Sequence, residues 1–307
     1  MQRYILFRLL HGVLTLFVVS LVVFLISRAT GDPTYLLLPD EGSLTKEDYD
    51  MQRRRLGLDQ PLPIQYVTWL GKMAQGDFGT SYRAGLPIGE LIGQRLPNTL
   101  KLGVAALGFA TLLALPLGII AALKKDSSID TAAKIVAFFG MAMPHFWLGI
   151  MLILIFSVRL GWLPTSGMGG PVHYLMPAFT LGYSFVAAGM MRLTRSSMLE
   201  VLDAEYMKLV RIKGVSERRA ILLHALRNAL IPVVTYAGLY FALFMSGSIV
   251  VETVFRWPGI GRLAYEATMW RDFPLLQGIV VVVAGITVMV HLMVDIVYAY
   301  IDPRIRY

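Results

Sequence analysis

Residues 102–123 read LGVAALGFATLLALPLGIIAAL, a continuous run without a charged side chain. A helix needs roughly 20 such residues to cross the ~30 Å hydrocarbon core of a bilayer. A run near the N-terminus, Gly12–Ile26, follows Arg3 and Arg8, and its apolar part is too long for a secretory signal, so we interpret it as a retained helix. Four more runs follow along the chain: Ile135–Val158, Tyr174–Met191, Ala229–Val251 and Phe273–Val290. The pattern predicts an all-α integral membrane protein with six transmembrane helices.

The composition excludes an ordinary soluble protein. Of the 307 residues, 56% are hydrophobic and only 16% are charged, against roughly 25% charged in soluble domains. The formal net charge of +8 does not indicate nucleic acid, because membrane proteins accumulate Lys and Arg in their cytoplasmic loops. The sequence has no cysteine, which excludes disulfides, cysteine-bound zinc and thiol catalysis.

The distribution of Lys and Arg predicts the orientation of the chain. Basic residues are densest between the fourth and fifth apolar runs, whereas the short connection after the third run carries only Arg159. The positive-inside rule therefore places both termini in the cytoplasm. We divide the chain into a first transmembrane helix (1–29), an extracytoplasmic cap of short helices rich in turn signals (30–98) and a five-helix transmembrane core (99–307).

The sequence carries no recognisable catalytic centre. Gly71-Lys72 is followed by Met73, so the phosphate-binding loop of an ATPase is absent. The five histidines are scattered, and none has a partner at metal-ligand spacing. We therefore predict no catalytic, cofactor-binding or metal-binding residues and no enzyme activity in this chain.

A proton-coupled secondary transporter is an alternative that needs ionisable groups inside the membrane. The candidates are Asp295, toward the inner end of the last helix, and His145, near the centre of the third. We expect Asp295 to pair with Arg3 or Arg8, and His145, beside Pro144, to be a hydrogen-bonded packing residue. Because such groups are scarce in the other spans, an external source of energy is favoured.

The segment 196–228 is too long for a simple connection between two helices. Its pattern predicts an extension of the fourth span, a second short helix over Ala204–Lys213, and a stop at Gly214, which can adopt a positive φ. Ser216 is then expected to cap the next helix. Helix, glycine and helix would form a rigid cytoplasmic knuckle on which a separate motor could push. A basic surface helix lying on anionic lipid explains the same pattern equally well.

Short motifs stand in order along nearly the whole chain: Arg3-Tyr4, Gly31-Asp32-Pro33, Leu56–Pro61, Gly76–Gly79, Arg192–Leu202, Lys213-Gly214, His224–Val234, Trp257-Pro258-Gly259 and Asp302–Arg306. Each motif is weak alone, but their order and spacing closely resemble the membrane subunits of binding-protein-dependent ABC importers, in the branch for dipeptides, oligopeptides, glutathione and nickel. The resemblance implies the type I importer permease fold. It also implies a channel that moves di- or oligopeptides, or alternatively nickel or glutathione, into the cytoplasm by alternating access.

The resemblance implies a set of partners as well. Two ATPase subunits would bind ATP and Mg²⁺, which leaves this chain without a cofactor of its own. A second homologous permease would complete the channel, as a heterodimer or, failing that, a homodimer. An extracytoplasmic solute-binding protein would deliver the cargo to an assembly in the bacterial plasma (inner) membrane, and no nucleic acid is expected.

The resemblance further places the ATPase-coupling loop around Gly214, with Pro232 downstream, although Lys208 stands where the family often has Glu. The candidate coupling residues are Glu205, Tyr206, Lys208, Arg211, Lys213, Gly214, Arg227, Asn228 and Pro232. Small or flexible residues that could line the pathway, or simply let helices approach closely, are Phe139, Met143, Pro144, Met245, Ser246, Gly247 and Ser248. Candidates for docking the binding protein, or for plain packing against neighbouring loops, are Trp257, Pro258 and Gly259.

Overall fold

The computed structural model describes residues 2–29, 46–55, 57–245 and 249–301, and this part of the chain is almost entirely helical. The pathway candidates Ser246, Gly247 and Ser248 lie outside the described residues. The α-helices, numbered in chain order, are α1 (Gln2–Ala29), α2 (Lys46–Arg55), α3 (Leu62–Ala74), α4 (Ile88–Leu123), α5 (Ser128–Ala142), α6 (His145–Leu152), α7 (Val172–Gly182), α8 (Ala188–Leu202), α9 (Glu205–Ile212), α10 (Leu226–Met245), α11 (Ile249–Val254), α12 (Ile260–Met269) and α13 (Phe273–Ile301). π-Helical stretches continue α6, join α7 to α8 and precede α10: Ile153–Arg159, Tyr183–Ala187 and Ala220–Ala225.

Most of the predicted membrane spans are present as long apolar helices. In the described residues, four are long and apolar enough to cross a bilayer: Leu6–Ala29, Ile88–Leu123, Glu217–Phe244 and Phe273–Ile296. A bent pair, α5 with α6 and its π-helical continuation, is a fifth candidate. The remaining predicted span, Tyr174–Met191, is helical but kinks at Ser184, where φ is −54° and ψ is −142°. The all-α membrane fold is confirmed, and the number of six spans stays a prediction.

The third predicted span, Ile135–Val158, is not one straight helix. α5 ends at Ala142, and α6 departs at an angle of 105° after Met143 and Pro144. Proline lacks a backbone donor and disfavours helical geometry in the residue before it, and Met143 accordingly has φ −82° and ψ 125°. The expectation that His145 lies near the centre of a helix is therefore wrong, because His145 is the first residue of α6.

Small residues let α4 lie close to α7 and α8. A buried stripe recurs every fourth residue of α4 as Ala106, Ala110, Ala114 and Gly118. A Cβ added to Gly182 of α7 would overlap the carbonyl oxygen of Ala106, so the two backbones are in contact there. In lipid, where apolar burial gives no advantage, such close backbone packing is a main source of helix association.

Polar contacts hold both ends of the last helix, α13. As predicted, Asp295 of α13 pairs with Arg8 of α1, with 3.0 Å between Oδ2 and Nε. At the other end of α13, the buried carboxylate of Asp272 accepts a hydrogen bond from the hydroxyl of Ser81 at 2.5 Å. Ser81 precedes α4, which begins at Ile88, so this helix starts inside the segment assigned to the cap.

Candidate functional site

The segment that was expected to couple to a motor forms a short helix ended by glycine. The last turn of α9 is closed by a backbone hydrogen bond from the N–H of Lys213 to the carbonyl of Leu209, at 3.0 Å. Gly214 then has a φ of +76°, which residues with a Cβ rarely adopt. No atom lies within 4 Å of the place where a Cβ would stand. Backbone geometry, and not crowding, therefore requires glycine at this position.

One face of α9 is fixed to the helical core. Met207 is fully buried and packs in an apolar cluster with Met198 of α8 and Ala122 at the end of α4. The same cluster includes Ala220 and Ala225 of the π-helical stretch before α10. The cluster therefore joins α9 to the end of α4, to α8 and to the stretch that leads into α10.

The opposite side of α9 carries exposed apolar side chains next to the Lys208–Glu205 ion pair. Ile212 is 80% exposed and Leu209 is 59% exposed, and Tyr206, one turn earlier, continues the same face. Side chains of this kind at the surface, outside the apolar spans, mark a contact surface for a protein or a membrane. We name the set Tyr206, Leu209 and Ile212 the exposed face of α9.

An ion pair joins α9 to the short helical turn Glu217–Arg219 that follows it. The guanidinium of Arg211 donates to the carboxylate of Glu217 across Gly214, with Nη2–Oε1 at 3.0 Å and Nε–Oε2 at 3.2 Å. This ion pair raises the pKa of Arg211 above its ordinary value. Ser216 stands at the N-cap position as expected, but its side chain makes no capping hydrogen bond, and in that detail the prediction is wrong. The turn is held by Arg211 and Glu217 instead.

The remaining coupling candidates lie around α9 and along α10. The amide of Asn228 donates to the hydroxyl of Tyr206 at 2.9 Å and to the carbonyl of His224 at 3.1 Å. Arg227 lines the same surface groove as Asn228 and His224.

Lys208 pairs with Glu205 at 2.7 Å on the exposed side of α9. Pro232 lies farther on, inside α10. The structure therefore brings all but Pro232 into one region.

The pathway candidates on the third predicted span lie at the break between α5 and α6. Phe139 is half exposed and Pro144 is exposed, while Met143 is partly buried. Met245 is the last residue of α10, and the three residues that follow it lie outside the described part of the chain. Their role in a pathway stays a prediction.

The docking candidates form a turn that is fastened to α4. Trp257 is fully buried, and its indole N–H donates to the carbonyl of Asn98 at 3.0 Å. The amide of Asn98 donates in turn to the carbonyl of Pro258 at 2.9 Å. Gly259 is also buried and leads into α12. These contacts agree with the alternative that the turn packs against neighbouring elements. A role of the turn in docking the binding protein stays a prediction.

A buried carboxylate holds the start of α12 beside this turn. Oε1 of Glu252 accepts from the hydroxyl of Thr99 at 2.9 Å, and Oε2 accepts from the backbone N–H of Arg262 at 2.9 Å. Thr99 Oγ1 accepts from the N–H of Ile260 at 2.8 Å. Glu252 thus caps the N-terminus of α12, where a negative charge is favourable, and ties it to α4.

We expect Glu252→Gln to destabilise this outer region. An amide nitrogen facing Arg262 would place donor against donor, and one facing Thr99 would leave the Thr99 O–H without its acceptor. Either way a buried donor is left unpaired, which costs roughly 1–3 kcal/mol. The midpoint of thermal unfolding of the purified protein should fall. Glu90→Gln is the matched control, because Glu90 is exposed and binds only the amide of Gln94 among the described residues. Equal midpoints for the two variants would contradict the capping role.

Comparison with known proteins decides the family. The family model for the binding-protein-dependent transport system inner membrane component matches residues 114–307. A second model, for the N-terminal part of such transport system membrane components, matches residues 1–103. The chain belongs to this family. Its resemblance to these inner membrane components, inferred from the motifs, is thus confirmed.

Two relatives of this inner membrane component match over full length. The oligopeptide transport system permease protein AppB of Bacillus subtilis (strain 168) is 40% identical over 319 residues, with 100% of each chain covered. The glutathione transport system permease protein GsiC of Escherichia coli (strain K12) is 42% identical over 308 residues, again with 100% of each covered.

Solved structures confirm the fold of the inner membrane component. It is similar to a chain of the inward-facing MetNI methionine ABC transporter, with a TM-score of 0.57 and 16% identity, covering 69% of this chain and 96% of that chain. It is also similar to a chain of an amino acid ABC transporter, with a TM-score of 0.50 and 19% identity, covering 70% and 94%. The predicted type I importer permease fold is therefore correct.

The inner membrane component contains a buried ion cluster that the sequence analysis missed. The fully buried Asp130 of α5 accepts hydrogen bonds from Arg195 of α8, from Nε at 2.6 Å and from Nη2 at 2.7 Å. Lys134 contacts the same carboxylate at 2.9 Å, and the backbone N–H of Asp126 donates to it at 3.1 Å. The spacing of Asp130 and Lys134 is visible in the sequence, but the partner 65 residues farther on emerges only from the fold.

Proposed function

We propose that this chain is the transmembrane channel subunit of an ATP-driven importer and that α9 is the element gripped by an ATPase subunit. The observation that carries the proposal is the two-sided character of α9. Met207 anchors one side in the core, and the exposed face of α9 presents Leu209 and Ile212 to a partner. A helix that is fixed on one side and apolar on the other is suited to transmit the movement of a second protein.

The competing interpretation of α9, a basic helix lying on lipid, is less well supported. Such a helix would place cationic side chains beside its apolar face. Here Arg211 is bound to Glu217 and Lys208 to Glu205, so both positive charges of α9 itself are locally neutralised. Lys213, Arg218 and Arg219 follow α9 and keep this region basic, but the pairing of the charges within α9 favours a protein groove over an anionic membrane.

The partners follow from the family and the proposed mechanism. Two ATPase subunits would supply the ATP and Mg²⁺ sites, a second, related permease would complete the channel, and a solute-binding protein would deliver the cargo on the outer side. The basic inner segments support an orientation with both termini in the cytoplasm.

The cargo class is a short peptide, including the tripeptide glutathione. AppB is described as an oligopeptide permease and GsiC as a glutathione permease, and the chain is about equally similar to both. A proton-coupled carrier has less support, because the intramembrane acid Asp295 is bound to Arg8 at 3.0 Å.

Uptake by the purified assembly in proteoliposomes tests this proposal. We expect an ATPase to co-purify with the chain and uptake of radiolabelled trialanine or glutathione to require the binding protein and ATP with Mg²⁺ on the α9 side. A proton ionophore should leave the initial rate unchanged. Uptake that persists without ATP and collapses with the proton gradient would favour the carrier instead.

The absence of cysteine allows the orientation to be tested directly. Lys213→Cys introduces a single thiol beside Gly214, and Arg159→Cys introduces one at the end of the π-helix after α6. A membrane-impermeant maleimide added to intact spheroplasts should label the second and spare the first. Labelling of Cys at position 213 from outside would overturn the proposed coupling.

A further inference from the structure

A cavity of about 780 Å³ lies between α5, α8 and α10, beside the ion cluster of Asp130. This volume is in the range of small-molecule sites, which commonly measure about 300–1,000 Å³. Phe138 and Leu193 give it apolar walls, and Arg192, with two other basic side chains, gives it positive charge. We name it the inner cavity. Apolar walls and convergent cations together suit an organic anion better than an inorganic ion.

The guanidinium of Arg192 lies beside the end of α5 that is farthest from the loop before it. Its Nη1 lies 3.2 Å from the sulfur of Met141 on α5. Met141 stands roughly 20 Å along α5 from Ser128, at a rise of about 1.5 Å per residue. An arginine at that depth is costly against lipid and normally faces the interior of the protein or a water-filled passage. A polar space beside this end of α5 would meet that need, and the cavity lies there.

The guanidinium of Arg192 is poorly satisfied by the protein. Within the described part of the chain, Arg192 donates one side-chain hydrogen bond, to the sulfur of Met141, which is a weak acceptor. Arg195 and Lys134 also line the cavity, but both are bound to Asp130. Asp126, exposed on the loop before α5, is a further acid close enough to affect Arg195. Three cations thus share the cavity, and Arg192 retains donors for a ligand.

A second hydrogen-bonding group lies one turn from Arg192: the Tyr236 hydroxyl, which is hydrogen-bonded to Tyr240 and can donate to a ligand when Tyr240 is the donor in that bond. The hydroxyl of Tyr236 on α10 rests against Gly189 on α8, so closely that a Cβ on Gly189 would overlap it. Residues three apart in a helix share a face, and Gly189 and Arg192 accordingly line the same cavity. Glycine at position 189 thereby admits a phenol hydroxyl beside a guanidinium, two groups that bind carboxylate oxygens.

We propose that the inner cavity binds a free carboxylate of the cargo on its way to the cytoplasm, with Arg192 as the main donor and Tyr236 as the second. The inference rests on the proposed function, because peptides and glutathione both carry carboxylates. The cavity is bounded by α8 and α10, the helices that precede and follow α9 in the chain. Movement of α9 would therefore change the distance between these walls and release the anion.

The phosphate of an anionic lipid is the other source of a negative charge at this site. Lipid phosphates lie in the interfacial layer, near the ends of the helices. The contact of Arg192 with Met141 places its guanidinium at the opposite end of α5 from the polar loop 124–127. The depth of the donor therefore favours a solute that passes through the channel.

Direct binding to the complete assembly tests the proposal without the binding protein. Dansyl-trialanine and its C-terminal amide are titrated by fluorescence anisotropy against the nucleotide-free complex in nanodiscs that contain phosphatidylglycerol. We expect Arg192→Gln to weaken binding of the acid about tenfold or more, as for loss of a charge-assisted hydrogen bond. The affinity for the amide should stay within about twofold of the wild-type value. Tyr236→Phe should weaken the acid several-fold. Arg159→Gln, an exposed arginine outside the cavity, should change neither.

The other outcomes would overturn the proposal. These are equal binding of acid and amide, no binding of the acid, or equal losses for both probes in Arg192→Gln. A lipid site would appear as unchanged peptide binding in Arg192→Gln, together with loss of the stabilisation that phosphatidylglycerol gives to the wild-type complex. Failure of the proposed function is a separate result, since it would appear as absent ATP-dependent uptake by the wild-type assembly.

Discussion

Ile212→Asp is expected to reduce ATP-driven uptake about tenfold or more while the chain still folds and inserts. Ile212 is 80% exposed, so the substitution removes no internal contact of consequence. Burial of an isoleucine side chain in a partner contributes roughly 1.5–3 kcal/mol, and a carboxylate in the same groove must in addition be desolvated. The loss corresponds to at least tenfold weaker engagement of the ATPase. Uptake of trialanine into proteoliposomes and the amount of co-purified ATPase measure the effect.

The matched control is the same exchange at another exposed isoleucine. Ile129 lies in the first turn of α5, where a carboxylate is favourable, and it lies outside the cluster that holds α9. Ile129→Asp should retain uptake and co-purification. If Ile212→Asp behaved like this control, the exposed face of α9 would not be the surface that the ATPase grips.

The membrane fold could be predicted because apolar length is a local property of the sequence. The described residues of each uncharged run are helical apart from the break at Met143 and Pro144, since a backbone in lipid must satisfy its own hydrogen bonds. The break at Met143 and Pro144 was missed because apolar composition continues unchanged through it. Proline was visible there, but a proline inside a helix is tolerated at Pro116 of α4, so the residue type alone does not decide.

The coupling segment could be predicted for a similar reason. Gly214 marks the end of α9 by its own backbone preference, and the pairing of Asp295 with Arg8 follows from their shared depth. The inner cavity could not be predicted in this way. Arg192 looks like an ordinary flanking cation until α5 is seen to end near it, because the depth of a side chain depends on how neighbouring helices tilt and break.

Asp130→Asn is expected to cause the largest loss of stability among the single substitutions considered. The carboxylate joins α5 to α8 through Arg195 and also holds Lys134 and the N–H of Asp126. An asparagine of the same shape carries no charge, and its amide nitrogen would face donors from Arg195 or Lys134. Two cations would remain together without their shared counter-charge, the situation in which removal of one partner from a buried pair is most damaging. The thermal midpoint and the monodispersity of the purified complex measure the loss.

A second substitution distinguishes loss of the attraction to Asp130 from the cost of leaving the Arg195 guanidinium without a counter-charge. If the damage in Asp130→Asn comes mainly from the uncompensated guanidinium, then Asp130→Asn combined with Arg195→Gln should be more stable than Asp130→Asn alone. Arg195→Gln by itself should be milder, because Asp130 keeps Lys134 at 2.9 Å. Partners in contact are expected to deviate from additivity in this way, whereas independent sites are not. Additive losses in the double variant would mean that the cluster does not act as a unit and that α5 and α8 are held by their apolar contacts alone.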